Sequence, residues 1–193
     1  MKKSNLLKLG AFAFTLCLGA GVLAFNPAVS SADTQTPTCD IVGKTLSLKD
    51  NIYIRYVVDF DNTLETDETG VLVWSAPQEV YEYSTADTVL NTRSVDITNE
   101  STGVTYPSYA YTELSAKQMT ETVYASPYIE RDGVYYYGEV EKYSILQYAY
   151  NTLGYAEKSA TTDEDLTNLL NAMLNYGAMS QVYHKYNTDY ANN

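Results

Sequence analysis

The segment Asp59-Phe60-Asp61-Asn62-Thr63-Leu64 follows the apolar run Ile54–Val58 and sets two carboxylates two residues apart at the end of an expected strand. With Glu65, Asp67 and Glu68, the loop holds five carboxylates within ten residues. Calcium takes about six to eight oxygen ligands, so Asp59, Asp61, Glu65 and Asp67 are candidate calcium ligands. The spacing is not that of a helix-loop-helix calcium loop. Leu64 stands where its glycine belongs and Gly70 where its final glutamate belongs. A solvated charged loop accounts for the same residues.

Tyrosine is the second source of chemistry. Of 193 residues, 20 are tyrosine and one is tryptophan. A tyrosine ring is apolar and flat with a polar tip, which suits stacking against sugar faces and partner surfaces. Trp74, Tyr81, Tyr83, Tyr106, Tyr109 and Tyr111 cluster along the middle of the chain. Alternation in a strand would put Tyr81 with Tyr83, and Tyr109 with Tyr111, on common faces. Trp74, Tyr81, Tyr83, Tyr109 and Tyr111 are therefore the expected ligand-binding residues, against the competing expectation that tyrosines simply fill strands and core. Tyr135-Tyr136-Tyr137 alternates faces as well, so at least one of those rings must point outward. His184, with Lys185 beside it, is the only histidine and sits where a cation complements a helix C-terminus, without partners that would make it catalytic.

Around Asp59 the segment resembles the first motif of haloacid dehalogenase-type phosphatases, aspartate-x-aspartate-x-threonine at a strand end. The resemblance implies Asp59 as nucleophile, Asp61 as acid/base and a magnesium ion between them. Val71–Trp74 ending in Ser75 would imitate that family's second motif. The resemblance covers about ten residues, and the family's sheet is parallel. A parallel crossover takes about a dozen residues or more, normally a helix. Only the acidic stretch Phe60–Gly70 separates the two runs here. The phosphohydrolase alternative thus predicts a crossover helix after Val58; antiparallel strands predict a plain loop.

The elements that must hold these residues read as short strands. Leu46 and Leu48 alternate with polar neighbours. Ile52, Ile54, Tyr56 and Val58 follow the Asp50-Asn51 turn with period two, and Val71-Leu72-Val73-Trp74 opens at Gly70 and closes at Pro77. Weaker strands are expected over Glu79–Tyr83, Ser94–Asn99 and Tyr106–Leu114. Glu121–Ile129 and Val134–Val140 flank Arg131-Asp132-Gly133, whose Asp-Gly suits a tight hairpin turn. At Tyr143 the period changes. Ser144 with Gln147, and Thr162 with Asp165, are capping boxes opening helices over about 144–153 and 163–185. Gly154 is placed to close the first. Leu166, Leu169, Leu170, Met173, Leu174 and Gly177 recur at helical spacing in the second, and Gly177-Ala178 removes bulk for the close approach of a neighbouring backbone. The expected fold is mainly β, an antiparallel immunoglobulin-like β-sandwich followed by two C-terminal α-helices.

Composition bounds the rest. Net charge is −12 with 19% charged and 45% hydrophobic residues. That balance supports one folded domain and opposes nucleic-acid binding, which needs basic residues to displace phosphate counterions. Residues 1–32 read as a signal peptide: Lys2, Lys3 and Lys8, then an apolar run from Leu9 to Phe25, then Ser30-Ser31-Ala32 as small residues for cleavage. Removing them takes away three lysines and no acid, leaving 161 residues with a charge of −15. The mature chain then reads as a linker over 33–40 and one domain over 41–193, with no membrane attachment after cleavage. Cys39 alone remains of two cysteines, so no intrachain disulfide forms and a free thiol near a mobile N-terminus is expected.

Five segments carry a second resemblance: Leu46-Ser47-Leu48-Lys49-Asp50-Asn51-Ile52; Ser115-Ala116-Lys117-Gln118-Met119-Thr120 with Val123-Tyr124-Ala125; Tyr143-Ser144-Ile145 with Tyr148; Ala172-Met173-Leu174-Asn175-Tyr176-Gly177-Ala178; and Tyr186-Asn187-Thr188-Asp189. Together they resemble an exported β-sandwich domain of Gram-positive gut anaerobes, found appended to cell-surface or polysaccharide-degrading proteins and of unassigned molecular activity. The resemblance implies a secreted, cell-surface or extracellular domain and supplies no catalytic residues. The expected function is non-catalytic binding, with a glycan as ligand and a polysaccharide or cell-surface protein as partner. The alternative is a structural spacer or adhesion module whose tyrosines are core. No cofactor is expected, save the calcium ion considered above.

Overall fold

A computed structural model describes residues 35–48, 51–154 and 160–185. The expected signal peptide, the Asp50 position of the first turn and the Tyr186–Asp189 signature lie outside the described residues. Every described element falls within the unit Thr34–Asn193.

β1 (Thr38–Ser47) and β2 (Tyr53–Asp61) pair antiparallel over their whole length, and β7 (Ser108–Tyr111) pairs antiparallel with the other edge of β2. A second antiparallel sheet runs from β3 (Glu68–Trp74) outward. β4 (Thr88–Leu90) lies on one side of β3 and β8 (Val123–Arg131) on the other. The free edge of β8 is covered twice along its length, by β9 (Val134–Tyr137) and then by β10 (Glu141–Tyr143). β5 (Ile97–Thr98) and β6 (Thr105–Tyr106) form a separate small ladder. The protein is mainly β with antiparallel sheets and two helices, as its period-two runs require.

The inner faces of the two sheets share one buried layer. Ile54, Tyr56 and Val58 from β2, Tyr109 and Tyr111 from β7, Val71 and Val73 from β3, and Val123, Ala125 and Ile129 from β8 meet there. Ile145 from α1 (Ile145–Thr152) and Met173 from α2 (Glu164–His184) close the layer. Ser144 caps α1, its hydroxyl accepting from the Gln147 N–H at 2.9 Å, as the capping box predicts. The cap of α2 falls one residue later than expected: Asp163, not Thr162, accepts from the N–H groups of Asp165 and Leu166. A carboxylate there also complements the helix dipole, which a threonine does not. Asp132 and Gly133 both take positive φ in the β8–β9 turn, as Asp-Gly predicts. A Cβ on Gly177 would lie 3.2 Å from the Ala116 carbonyl oxygen, so the close approach inferred from Gly177-Ala178 is made against the turn Ala116–Gln118.

Three expectations are corrected. The linker over 33–40 ends early, because Thr38, Cys39 and Asp40 open β1 opposite Asp61, Phe60 and Asp59. Cys39 is consequently 4% exposed rather than near a mobile terminus. Glu79–Tyr83 is not a strand. It belongs to a loop over 75–87, ending in a helical turn at Tyr83–Thr85, that folds back across the outer face of the second sheet. Only Ile97–Thr98 of Ser94–Asn99 pairs as a strand.

Candidate functional site

β3 is apolar on both faces because both faces are covered. Val71 and Val73 point into the inter-sheet layer, while Leu72 and Trp74 point the other way and join Tyr128 in a second buried cluster. The loop over 75–87 roofs that cluster. Tyr81 packs edge-on against Trp74 with centroids 4.9 Å apart and stacks near Tyr124 at 6.0 Å. The Trp74 indole N–H donates to the Thr85 hydroxyl at 3.1 Å. Tyr83 packs edge-on against Tyr128 at 5.5 Å. The Tyr128 hydroxyl donates to Glu68 at 2.7 Å, and burial together with that carboxylate raises its pKa.

The layer thins toward β9. Tyr135 and Tyr137, two residues apart on one strand face, are 38% and 39% exposed, with rings nearly parallel at 7° and centroids 6.0 Å apart. Tyr135 leans on Tyr83 at 4.8 Å, and the Tyr83 backbone N–H donates to the Tyr137 hydroxyl at 3.1 Å. These contacts fix both rings while leaving their outer surfaces to solvent. Tyr137 also borders a cleft of about 390 Å³, walled by Thr36, Thr38 and Asp40 on one side and by Gly138 and Glu139 on the other. Gly138 is required there: a Cβ on it would lie 2.1 Å from the Cys39 carbonyl oxygen. Two exposed carboxylates, two exposed threonines and an anchored aromatic ring thus converge on one open groove. Cys39 also lines it, its thiol held near the Tyr136 carbonyl and pushed up to about 12 by burial and by Asp40.

The expected ligand-binding residues are therefore split. Trp74 and Tyr109 are fully buried and Tyr111 is 5% exposed, so none of the three offers a ring face. Tyr81 and Tyr83 are half-buried supports of the outer layer. The exposed pair is Tyr135 and Tyr137, of which sequence reasoning required only that one ring point outward.

The carboxylate loop is put to another use. Arg131 donates Nε and a terminal nitrogen to the two Asp67 oxygens at 2.9 and 2.7 Å, and the same terminal nitrogen reaches the Asn62 carbonyl at 2.6 Å. Asp67 also accepts from the Leu64 N–H at 2.8 Å. The guanidinium holds the Asp67 carboxyl below its usual value. Arg131 is the residue that sequence reasoning missed, being 64 residues away and legible only as part of a turn. Asp61 accepts from both nitrogens of Asn62, while Asp59 and Glu65 face solvent. Among the described residues no group of three or more His, Cys, Asp or Glu is placed to hold a metal ion, and Asp59, Asp61, Glu65 and Asp67 do not fit a calcium site. For the phosphohydrolase alternative, β2 has antiparallel neighbours on both edges, and a plain loop leads from it to β3 in the other sheet. The parallel crossover helix that reading predicts after Val58 is not there.

Among the described residues no helix is long and apolar enough to cross a membrane. No protein-family model, curated protein or solved structure matches the chain.

Proposed function

We propose that the protein is an exported, non-catalytic binding domain that holds a glycan at the rim formed by Tyr135, Tyr137 and the adjoining groove. One observation carries this reading: two anchored, parallel, solvent-facing tyrosines lie side by side, and one of them, Tyr137, borders a groove whose walls present Asp40, Glu139, Thr36 and Thr38. Sugar rings pair an apolar face with a rim of hydroxyls. Tyrosine supplies the stacking surface, and carboxylates and hydroxyls accept or donate at the rim. The groove is open and shallow, which fits a chain-like ligand better than an enclosed small molecule. A net charge of −12 favours neutral or basic polysaccharides over acidic ones.

Affinity electrophoresis through gels of neutral plant and host polysaccharides tests this. At least one polysaccharide is expected to retard the protein. Tyr137→Ala, and independently Tyr135→Ala, should abolish the retardation while the circular dichroism spectrum stays that of the folded protein. If no polysaccharide retards the protein, the glycan reading falls and the spacer or adhesion reading takes its place.

A further inference from the structure

α2 carries two seams. Leu170, Met173, Gly177 and Gln181 form the first, and all four are buried. Leu169, Ala172, Tyr176, Met179 and Tyr183 form the second, stepping by three, four, three and four residues, the a/d spacing of a coiled-coil seam. This second seam has no cover among the described residues: Leu169 is 44% exposed, Tyr176 63%, Met179 67% and Tyr183 83%. The helical repeat running through Leu166, Leu169, Leu170, Met173, Leu174 and Gly177 is thus divided between two faces. From Leu166 to Tyr183 there is no Asp, Glu, Lys or Arg, in a chain with 36 such residues.

We propose that this seam docks a second copy of the same chain, helix against helix, about a twofold axis. Area, charge and shape each point to that occupant. At roughly 200 Å² for a fully exposed large side chain, the exposed parts of Leu169, Tyr176, Met179 and Tyr183 offer roughly 500 Å² per copy. A pair would bury roughly 1,000 Å², the size of a weak, reversible interface. Two copies of an acidic chain repel through every charged face, so they can meet only through an uncharged one, and this seam is uncharged. A basic partner would instead be drawn to the carboxylates, of which the nearest, Asp163, Glu164 and Asp165, crowd the first turn of α2 rather than the stretch from Leu169 to Tyr183. In an antiparallel pair each a position faces a d position. Ala172 then meets Tyr176 of the second copy and Leu169 meets Met179, small against large and aliphatic against thioether. Opposed helix dipoles favour the same orientation.

Sedimentation equilibrium on the unit Thr34–Asn193 from roughly 1 to 200 µM tests the proposal, because a pair at this area is expected to dissociate in the micromolar range. The mass should move from one chain to two across that series. Met179→Glu and, separately, Tyr183→Glu should hold it at one chain throughout, with an unchanged circular dichroism spectrum. Tyr183 is exposed enough that its substitution cannot unfold the core, which covers the case in which Met179→Glu does. Val80→Glu, on an exposed loop position away from α2, should leave pairing intact. The double variant Ala172→Cys with Tyr176→Cys should form an interchain disulfide under mild oxidant. A single-chain mass at every concentration overturns the proposal, including the case in which another protein occupies the seam. So does a dimer that survives both glutamate substitutions.

Discussion

The second sheet separates two layers built on different terms. Its inner face packs against the first sheet through Val71, Val73, Ala125 and Ile129, mostly aliphatic groups without polar obligations. Its outer face packs Leu72, Trp74 and Tyr128 under a loop, and three of the five aromatics there carry a polar tip with a partner: Trp74 with Thr85, Tyr128 with Glu68, Tyr81 with the Gln78 N–H. A sheet can bury one face against another sheet cheaply because both faces are already regular. Burying the second face under an irregular loop requires side chains that are large, to reach the loop, and amphipathic, to satisfy its backbone. Tyrosine meets both needs. The same chemistry leaves a solvent-facing rim where the loop ends, at Tyr135 and Tyr137.

The sharpest way to break that comparison is to empty each layer in turn. If the outer layer is a second core, Trp74→Ala should cost as much as a large truncation inside, about 3–5 kcal/mol, while Ile54→Ala in the inner layer should cost about 2–5 kcal/mol. Urea denaturation of both variants decides it. A Trp74→Ala loss below about 1 kcal/mol would mean that the loop is a loose flap and the outer layer contributes little to stability.

Much of the inner layer was legible, and the outer layer was not, for a physical reason. Period two in Ile54, Tyr56 and Val58 announces one buried face, and Asp132-Gly133 announces the hairpin beside it. The continuous run Val71-Leu72-Val73-Trp74 announces a strand buried on both sides, but not what covers its second side. The cover is the loop carrying Tyr81 and Tyr83, whose alternation imitates a strand because tyrosine serves strands and packed loops equally well. Asp67 shows the same limit for charge. Five nearby carboxylates read as a cation site, and the cation turns out to be Arg131, brought from the far end of β8 by the fold alone.

Alkaline pH sharpens the comparison because it titrates both layers at once. Burial raises the pKa of Tyr56 and pushes Tyr143 up to about 12, both in or against the inner layer; burial and Glu68 raise that of Tyr128 in the outer one. Tyrosine ionises near 10 in the unfolded chain. A raised folded value means that the folded protein keeps protons the unfolded chain has lost, so stability is whole below pH 10 and falls as pH climbs through the folded values. Thermal melts from pH 8 to 12, followed with phenolate absorbance, should show a fall starting near pH 10, with the buried tyrosines ionising only as the protein unfolds. A second group of tyrosines, among them Tyr128, ionising with the fold intact would show that the outer layer is open to solvent.

The finest test removes a single oxygen from each layer. The Tyr56 hydroxyl is buried without a hydrogen-bond partner among the described residues, whereas the Tyr128 hydroxyl donates to the Glu68 carboxylate. An unpartnered buried hydroxyl costs its desolvation, about 1–3 kcal/mol, and the ring above it packs equally well without it. Tyr56→Phe should therefore leave stability unchanged or raise it by about 1 kcal/mol. Tyr128→Phe loses a hydrogen bond to a charged group and should lower stability by about 1 kcal/mol, held below the buried-pair figure by the solvent around Glu68. Opposite signs for the same chemical change would separate the two positions: Tyr56 serves the inner layer by its ring alone, whereas Tyr128 serves the outer layer with its whole side chain. Equal losses would mean that the Tyr56 hydroxyl has found a partner in solution, and the distinction between the layers would reduce to one of position.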